Sequence, residues 1–354
     1  MLSICGDRLI RDDFMYENLK YNKKLTSEQF KKLTNLPLDE KIELSKEIIV
    51  EFYENIDRSN GEKVYIACSF GKDSIVIVDL VRSIYPDIPI IHSDTGLEYK
   101  GTYDLKKEYE NVITVKPIKP MEKVIEEDGY ILPIGKSKSK TLRRARDSIR
   151  MEKWDNASFK RLSGKGNYKK GSLYNEETAL KYIVCPFKIS EKCDEFLKKR
   201  PLNKFIKENN FKYYFSGITY DESPMRNASL RKEGFNIMKT NCRLIGHWNV
   251  NDVLEYIFTN NLKYSDSYGE IIQKDDGTYD TTLFKRNGCF CCPCGVHLEK
   301  EPNRYQLLYY YDYDAWKYAL YDLGFKQVLD YFEVPYYPQE VIQKKENKSL
   351  DNYL

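Results

Sequence analysis

The sequence predicts an α/β fold: a doubly wound, mostly parallel sheet followed by a helical, cysteine-rich, metal-binding region. Two observations support this. Strand-like and helix-like segments alternate from Glu62 to about residue 117, and four cysteines fall within residues 289–294. Alternating strands and helices build parallel sheets through right-handed crossovers, and helices then cover both faces. Cysteines crowded in this way indicate a metal site.

The predicted sheet elements follow one another in a regular order. VYIACS, IPIIHSD and NVITVKP are short apolar strands, separated by DSIVIVDLVRSIY and YKGTYDLKKEYE, whose apolar residues have helical spacing. FKYYFSGI, residues 211–218, is predicted to return to the sheet as a buried strand. NVNDVLEYIFTNN is predicted to form a helix after an N-cap asparagine.

These patterns divide the chain into three parts. Residues 1–60 are expected to form a helical segment, residues 61–235 the domain with the sheet, and residues 236–354 a helical region with the cysteine cluster. A Lys-, Gly- and Ser-rich stretch at about residues 130–182 has no apolar periodicity, so it is expected to be an insertion or a mobile flap.

Composition excludes some classes of protein. Hydrophobic residues make up 41% of the 354 residues, and no apolar run approaches the roughly 18 residues that a membrane span needs. The charged N-terminus lacks the apolar run of a secretory signal, so we expect a cytoplasmic protein without membrane contact. Residues 136–170 hold thirteen Lys or Arg against three Asp or Glu. This stretch is either a solvated face or a surface for an anionic substrate or a nucleic acid, DNA or RNA.

The segment SFGKDS lies between a buried strand and a helix, where backbone N–H groups and the helix dipole favour an anion. Gly71 permits close backbone approach, Lys72 supplies a positive charge, and Ser69 and Ser74 supply hydroxyl donors. Asp73 is expected to orient the loop or to help hold a metal ion. The spacing does not fit GxxxxGK[ST], because no glycine lies five residues before Gly71.

The loop instead resembles the SGGKDS loop of the PP-loop superfamily, which includes ATP pyrophosphatases and sulfonucleotide reductases. HSDTGLEYKGT, after the next strand, resembles the DTG segment that lies near the nucleotide in phosphoadenosine phosphosulfate reductases. A lone DTG would be a strand-end turn with its glycine at positive φ. The paired resemblance implies catalytic roles for Lys72 and Asp73. It also implies that an adenine nucleotide, ATP or a sulfonucleotide, is bound by Ser69, Phe70, Gly71, Lys72, Asp73, Ser74, Asp94, Thr95 and Gly96.

A third segment, SGITYDESPMR, is similar to the SGTRADES segment that follows a later strand in reductase-like proteins. This resemblance adds Gly217 to the nucleotide site. Thr219 stands where an arginine is usual, so Arg226 or Arg231 is expected to replace that arginine in a phosphate or sulfate clamp.

The segments FKISEKCDEFLKKRPL and RNGCFCCPCGVHLEKEPNRYQ resemble a bacterial and phage branch of the reductase family. In its iron-containing relatives, cysteines hold an iron–sulfur cluster (4Fe–4S), which by position implicates Cys193, Cys289 and Cys292. We expect Cys242 to complete the set, with Cys185 as the next candidate. Four thiolates satisfy a four-iron cluster or a tetrahedral zinc, so zinc is the alternative.

The segment CGVH, residues 294–297, resembles the CGxH ending of sulfonucleotide reductases, whose cysteine attacks the sulfate sulfur. It implies a catalytic role for Cys294, and Cys291 is a second candidate for a nucleophile or sulfur carrier. In those enzymes the motif ends the chain, whereas here nearly sixty residues follow it.

Three functions fit these motifs. A sulfonucleotide reductase-like enzyme would release sulfite after a thiol attacks sulfur, with a thiol reductant as its partner. An ATP pyrophosphatase-type sulfurtransferase would use ATP and Mg²⁺ to adenylylate a nucleic acid, and would then insert sulfur from a sulfur-donor protein, as in DNA phosphorothioation. A regulatory protein would bind the nucleotide without turnover.

Overall fold

A computed structural model describes residues 24–154, 157–162, 181–235 and 239–342. The chain divides into two units. We call the first the sheet unit; it comprises Met1–Ser93, Lys100–Val115 and Leu202–Asn287. The second, the cysteine unit, comprises Asp94–Tyr99, Lys116–Pro201 and Gly288–Leu354. Within the described residues, no helix is long and apolar enough to cross a membrane.

The sheet unit is built on one parallel sheet. Its strands are β1 (Lys63–Ala67), β2 (Ile90–Ser93), β3 (Val112–Val115), β4 (Phe211–Ser216) and β5 (Asn241–Cys242). They lie in the order β3-β2-β1-β4-β5, and every neighbouring pair is parallel. The chain therefore winds outwards from β1 in both directions. This confirms the predicted doubly wound α/β fold and its four predicted strands; the two-residue β5 was not predicted.

Helices account for most of the remaining regular structure. In chain order, the described α-helices are α1 (Ser27–Thr34), α2 (Leu38–Asn55), α3 (Lys72–Arg82), α4 (Lys100–Lys107), α5 (Met121–Asp128), α6 (Lys136–Arg150), α7 (Ala157–Leu162), α8 (Arg200–Glu208), α9 (Pro224–Glu233), α10 (Val250–Thr259), α11 (Arg304–Tyr311), α12 (Tyr313–Lys317) and α13 (Phe325–Tyr331). A π-helix, Glu195–Lys199, precedes α8.

Side chains of β1 point alternately to two faces of the sheet, and each face has its own core. Ile66 is fully buried in a large apolar cluster that includes Phe52 of α2 and Ile77 of α3. Tyr65, the preceding residue, belongs to a smaller cluster on which Phe205 of α8 packs. Helices thus cover both faces of this sheet, as expected for strands that are apolar along their whole length.

The helix α10 begins where its sequence predicts. The Asn249 side chain accepts the Asp252 N–H at 2.9 Å, and the Asp252 carboxylate accepts the Asn249 N–H at 2.7 Å. The same carboxylate pairs with the buried Lys41 of α2 at 2.7 Å. Beyond α10, β6 (Ile271–Gln273) and β7 (Tyr279–Thr281) form a separate antiparallel pair that the sequence did not predict.

Part of the basic stretch forms a helix rather than a flap without regular structure. Residues 136–150 are α6, and its inward positions are Ser139, Leu142, Ala145 and Ser148, all buried. Two of these four residues are serines, so the helical period does not show as apolar periodicity. Residues 163–180, also part of the predicted flap, lie outside the described residues.

Candidate functional site

The SFGKDS segment, which we call the phosphate loop, leaves the carboxyl end of β1 and enters α3. Phe70 has a φ of 56°, and its fully buried ring packs on His92 and Tyr109, with centroids 5.1 and 5.5 Å away. A bulky residue at positive φ costs about 1–3 kcal/mol, and burial of a Phe side chain contributes about the same amount. Phe70 therefore keeps a left-handed turn where the related loop has glycine.

Hydroxyl groups close the phosphate loop from inside. The Ser74 hydroxyl donates to the Gly71 carbonyl at 2.8 Å and lies 3.4 Å from the Ser69 hydroxyl. The Gly71 N–H points to the Ser69 hydroxyl oxygen at 3.4 Å. Gly71, the N-cap of α3, has no side chain of its own to cap the helix. The first turn of α3, with its backbone N–H groups, lies at the end of the sheet where parallel α/β proteins bind ligands.

The charged side chains of the loop, Lys72 and Asp73, form an ion pair with each other. The ammonium of Lys72, a residue that is 7% exposed, pairs with the Asp73 carboxylate at 2.8 Å. The Lys72 N–H donates to the Tyr268 hydroxyl at 3.0 Å. Residues 69–74 therefore lie together as the sequence predicts, and Tyr268 joins them. No motif in the sequence pointed to Tyr268.

Gly217, which follows β4, packs directly on the phosphate loop. A Cβ atom at this position would lie 2.8 Å from the Asp73 carbonyl oxygen and 3.2 Å from the Ser74 nitrogen. Only glycine permits this approach of two backbone segments. Gly217 therefore supports the loop through its missing side chain.

Arg226, in α9, lies near enough to Asp73 for their charges to interact. Burial lowers the pKa of Arg226, the Asp73 charge raises it, and the charges of Arg286 and Arg243 lower it further. Arg226 also forms an ion pair with Glu222. Arg231 lies elsewhere, with its guanidinium over the Phe30 ring at 5.5 Å. Of the two arginines that the sequence suggested for a clamp, Arg226 is the one near the loop.

The DTG turn belongs to the cysteine unit. Gly96 has a φ of 76°, and its N–H donates to the Asp94 carboxylate at 2.9 Å. The Thr95 hydroxyl, 4% exposed as a residue, donates to the buried Glu98 carboxylate at 2.8 Å and lies 3.5 Å from the Cys289 sulfur. Glu98, which the sequence did not suggest, thus connects this turn to the cysteine segment.

Four thiols of the cysteine unit share one electrostatic environment. Burial raises the pKa of Cys193 to about 12, and the charges of Cys292 and Cys289 raise it too. A hydrogen bond with Cys292 lowers the pKa of Cys294 to about 6 despite burial, and the backbone N–H of Lys136 contributes. We call Cys193, Cys289, Cys292 and Cys294 the cysteine cluster.

Cations surround the cysteine cluster. The Cys289 charge raises the pKa of Lys198, which burial alone would lower. Burial lowers the pKa of Lys136, but the charges of Asp194, Cys193 and Cys292 outweigh it, so the pKa is raised. Arg304 donates to the Cys292 carbonyl at 3.1 Å. Thiolates placed among such cations are stabilised in their charged form.

Two further cysteines lie apart from this cluster, and a third, Cys291, is buried beside it, where burial and then the charges of Cys289, Cys292 and Cys193 raise its pKa. Cys242 is fully buried in β5, within the apolar core of the sheet unit. Cys185 is buried in the cysteine unit, 3.4 Å from an Arg146 nitrogen. Cys291 is 1% exposed, and burial raises its pKa well above the usual range. The structure thus brings Cys193, Cys289 and Cys292 together, but it places Cys294, not Cys242, beside them.

A single metal ion needs at least three ligands at one point. Among the residues that the structure describes, no group of three or more His, Cys, Asp or Glu side chains has that geometry. A four-iron cluster is less demanding in this respect, because each thiolate binds its own iron. The donor chemistry of the cysteine cluster, four thiols among cations, fits such a group.

Comparison with known proteins identifies a matching family and several relatives. The family model "Phosphoadenosine phosphosulfate reductase domain" matches residues 63–157 and 167–294, well over half of the chain. Adenosine 5'-phosphosulfate reductase 2 of Bacillus subtilis (strain 168) is 27% identical over 232 residues, which cover 63% of this chain and 76% of that protein.

Two further matches have lower identity. The adenosine 5'-phosphosulfate reductase of Geobacillus thermodenitrificans (strain NG80-2) is 25% identical over 211 residues, 59% of this chain and 68% of that protein. A solved structure, phosphoadenylyl-sulfate (PAPS) reductase from Candida auris in a phosphate complex, is 14% identical with a TM-score of 0.38. That match covers 77% of this chain and 100% of the other.

Proposed function

Because the chain belongs to the phosphoadenosine phosphosulfate reductase domain family, we propose that it is a sulfonucleotide reductase-like enzyme whose phosphate loop binds the phosphates of its adenine nucleotide. The observation that carries the proposal is the junction of β1 and α3. There the buried Phe70 holds a left-handed turn, and Gly71 begins the helix without a side chain of its own to cap it. Backbone N–H groups at such a helix start bind phosphate oxygens.

Positive side chains complete this proposed phosphate site. Lys72 lies in the loop itself, and Arg226 and Arg286 are close enough to one another for their charges to interact. A phosphate oxygen competes with the Asp73 and Glu222 carboxylates for these cations, and guanidinium groups bind such oxygens in a bidentate manner. We propose Arg226, with Arg286, as the clamp that replaces the arginine missing at Thr219.

The proposed reaction needs two thiols. A thiolate attacks the sulfur of the sulfonucleotide, the bond between sulfur and the phosphate oxygen breaks, and the nucleoside phosphate leaves. A second thiol attacks the first, forming a disulfide and releasing sulfite. Together the two thiols supply the two electrons that reduce the sulfur of the sulfonucleotide to sulfite. A dithiol reductant is therefore a sufficient partner for the enzyme. The phosphate loop and its arginines stabilise the charge that develops on the leaving phosphate.

We propose that the cysteine cluster holds a four-iron four-sulfur cluster, with Cys294 in place of Cys242 as the fourth ligand. The support is the placement of the four thiols among Lys136, Lys198 and Arg304, whereas Cys242 lies in an apolar core. Bound there, the group would add an anionic, redox-capable centre. A thiol that binds iron is not at the same time a nucleophile, so this assignment replaces the catalytic role expected for Cys294.

Iron content distinguishes between the two roles considered for Cys294, iron ligand and nucleophile. The Cys294→Ala variant is expected to lose most of its iron after anaerobic purification, while Cys291→Ala keeps it. Full iron content in Cys294→Ala, together with lost turnover, would instead identify Cys294 as the nucleophile.

Product analysis tests the reaction. We expect sulfite from adenosine 5'-phosphosulfate and dithiothreitol, and we expect Lys72→Ala to abolish it. The control is Lys107→Ala, which removes an exposed lysine that pairs with Asp104 on α4. Sulfite from the Lys72 variant at the wild-type rate contradicts the proposed site.

A second candidate shares the same loop. The helix α6 exposes Lys138, Lys140 and Arg144, which favours contact with a nucleic-acid backbone and hence an ATP-dependent sulfurtransferase. That enzyme would release pyrophosphate from ATP and no sulfite. Nucleotide binding without either product would leave the regulatory alternative.

A further inference from the structure

Tyr268 is the least expected residue at the phosphate loop. It is 2% exposed, and its hydroxyl oxygen accepts the Lys72 N–H at 3.0 Å. Burial raises the pKa of Tyr268, whereas the backbone N–H of Asn287, like the Lys72 N–H, lowers it. A phenol oxygen that accepts an N–H bond still has its own proton to donate.

Neighbouring groups leave this proton for another acceptor. The Asn287 side-chain oxygen is buried without a hydrogen-bond partner among the described residues, so it does not take the proton. The nitrogen of the same amide donates to Thr102 at 2.6 Å. A Cβ atom on Gly71 would lie 3.3 Å from the Tyr268 hydroxyl. The hydroxyl therefore lies over the surface of the turn that Gly71 leaves open.

The segment that carries Tyr268 is held too firmly to act as a gate. A Cβ atom on Gly101 would lie 2.9 Å from the Ser265 hydroxyl, so the segment packs on the backbone of α4. The Tyr268 carbonyl accepts the Leu283 N–H at 3.0 Å. Withdrawal of the ring would expose a buried aromatic side chain and leave the Lys72 amide without this partner. Each of these changes is unfavourable.

We propose that Tyr268 is a positioning residue of the phosphate loop, which holds the Lys72 amide and donates its hydroxyl proton to a phosphate oxygen of the nucleotide. The inference rests on the proposed function, in which phosphate binds at residues 69–74. Because the Lys72 N–H is bonded to Tyr268, the loop then offers the phosphate the Tyr268 O–H group in place of that N–H. Burial raises the pKa of Tyr268, and the Asp73 charge raises it further, so the hydroxyl keeps its proton at neutral pH.

The test compares two tyrosines of the same segment. Tyr268→Phe removes the proposed donor. Tyr264→Phe is the matched control, because the Tyr264 hydroxyl also accepts a backbone N–H, but from Ile271, at 3.2 Å, and not from the loop. Calorimetric titration of the full chain with AMP and with adenosine measures the contribution of the phosphate alone. Within one variant, the ratio of the two dissociation constants does not depend on the folded fraction.

We expect Tyr268→Phe to weaken AMP binding about tenfold, which corresponds to about 1.4 kcal/mol, and to leave adenosine binding unchanged. Tyr264→Phe should change both by less than about twofold, well under the net contribution of a hydrogen bond to a charged group. Unchanged or tighter AMP binding by Tyr268→Phe overturns the inference. If the wild-type chain binds AMP no better than adenosine, the proposed function fails first.

A second variant covers a failure of Tyr268→Phe to fold. Site-specific 3-fluorotyrosine at position 268 keeps the ring and makes the hydroxyl a stronger donor, so AMP should bind more tightly. Weaker or equal AMP binding by this variant, with adenosine binding intact, also overturns the inference.

Discussion

The phosphate loop takes its six residues from a single segment, and backbone geometry arranges them: a left-handed Phe70, a glycine as the N-cap of α3 and a glycine at position 217 that lets two backbones meet. The cysteine cluster takes its thiols from two segments, near residues 193 and 289–294, and side-chain cations from other helices surround it. A site made by one segment is visible in the sequence. For a site assembled from several segments, the sequence reveals the candidate residues but not which of them come together in the fold.

The largest expected effect tests membership of the cysteine cluster. Cys193→Ala should lose nearly all iron, against about four irons per chain for an intact cluster, because it removes a ligand. Cys242→Ala should retain the iron, because this side chain lies in the apolar core of the sheet unit. Iron determination after anaerobic purification measures both, with circular dichroism to confirm folding. Loss of iron from Cys242→Ala, and not from Cys193→Ala, would restore the ligand set expected from the sequence.

The next effect concerns the core beneath the sheet. His247 is fully buried between Phe235 and Trp248, and burial, with the Lys41 charge, lowers its pKa from 6.5 to about 3. The unfolded chain therefore binds this proton first, and the contribution of neutral His247 to stability is lost as the pH falls below 6.5. At pH 5 the loss is about 2 kcal/mol.

Urea unfolding at pH 7 and pH 5 measures this loss. His247→Leu should lose less stability than the wild type over that interval, whatever its stability at pH 7. An equal loss in the two proteins would show that His247 does not titrate as its burial indicates.

A smaller effect tests the close approach of Gly217 to the phosphate loop. Gly217→Ala places a Cβ atom 2.8 Å from the Asp73 carbonyl. Displacement of the loop should weaken AMP binding about tenfold, within the range of about 1–3 kcal/mol for a forced backbone shift. Gly135→Ala is the control, since nothing lies within 4 Å of its added Cβ. Unchanged AMP affinity in Gly217→Ala would place the phosphate elsewhere.

The smallest effect distinguishes two arginines of α9. Arg226→Ala should weaken AMP binding about fivefold, since one partly exposed charge contributes about 1 kcal/mol. Arg231→Ala should leave it within about twofold, because the Arg231 guanidinium lies over the Phe30 ring. The same titration measures both variants. The reverse order of affinities would assign the clamp to Arg231.

Most of the fold follows from local patterns. Four strands and the two helices between the first three of them, α3 and α4, were predicted because each carries its own apolar period, and the start of α10 was predicted from Asn249. β5, β6 and β7 have two or three residues each, too few to show any period. The helix α6 was missed because three of its five buried residues, Ser139, Thr141 and Ser148, carry hydroxyl groups.

The candidate site divides in the same way. Residues 69–74 could be named from the sequence because they are contiguous. Tyr268 is 196 residues away from Lys72, and nothing in the letters DSYG indicates a contact with a backbone amide. Cys242 was chosen because a fourth thiol was needed to complete the ligand set. The number of thiols in a sequence contains no information about which part of the fold each thiol occupies. Glu98 was missed because its role depends on Cys289, a partner far along the chain.

Each unit is built from three separate segments of the chain, and this affects when the unit can fold during synthesis. The sheet unit includes Leu202–Asn287, and the cysteine unit begins with Asp94–Tyr99 yet includes Gly288–Leu354. No single cleavage of the polypeptide yields either unit whole. A ribosome must therefore translate past Asn287 before the first unit has all its segments, so long-range pairing, which is slow, waits on the later part of the message. Truncated fragments are poor surrogates for either unit.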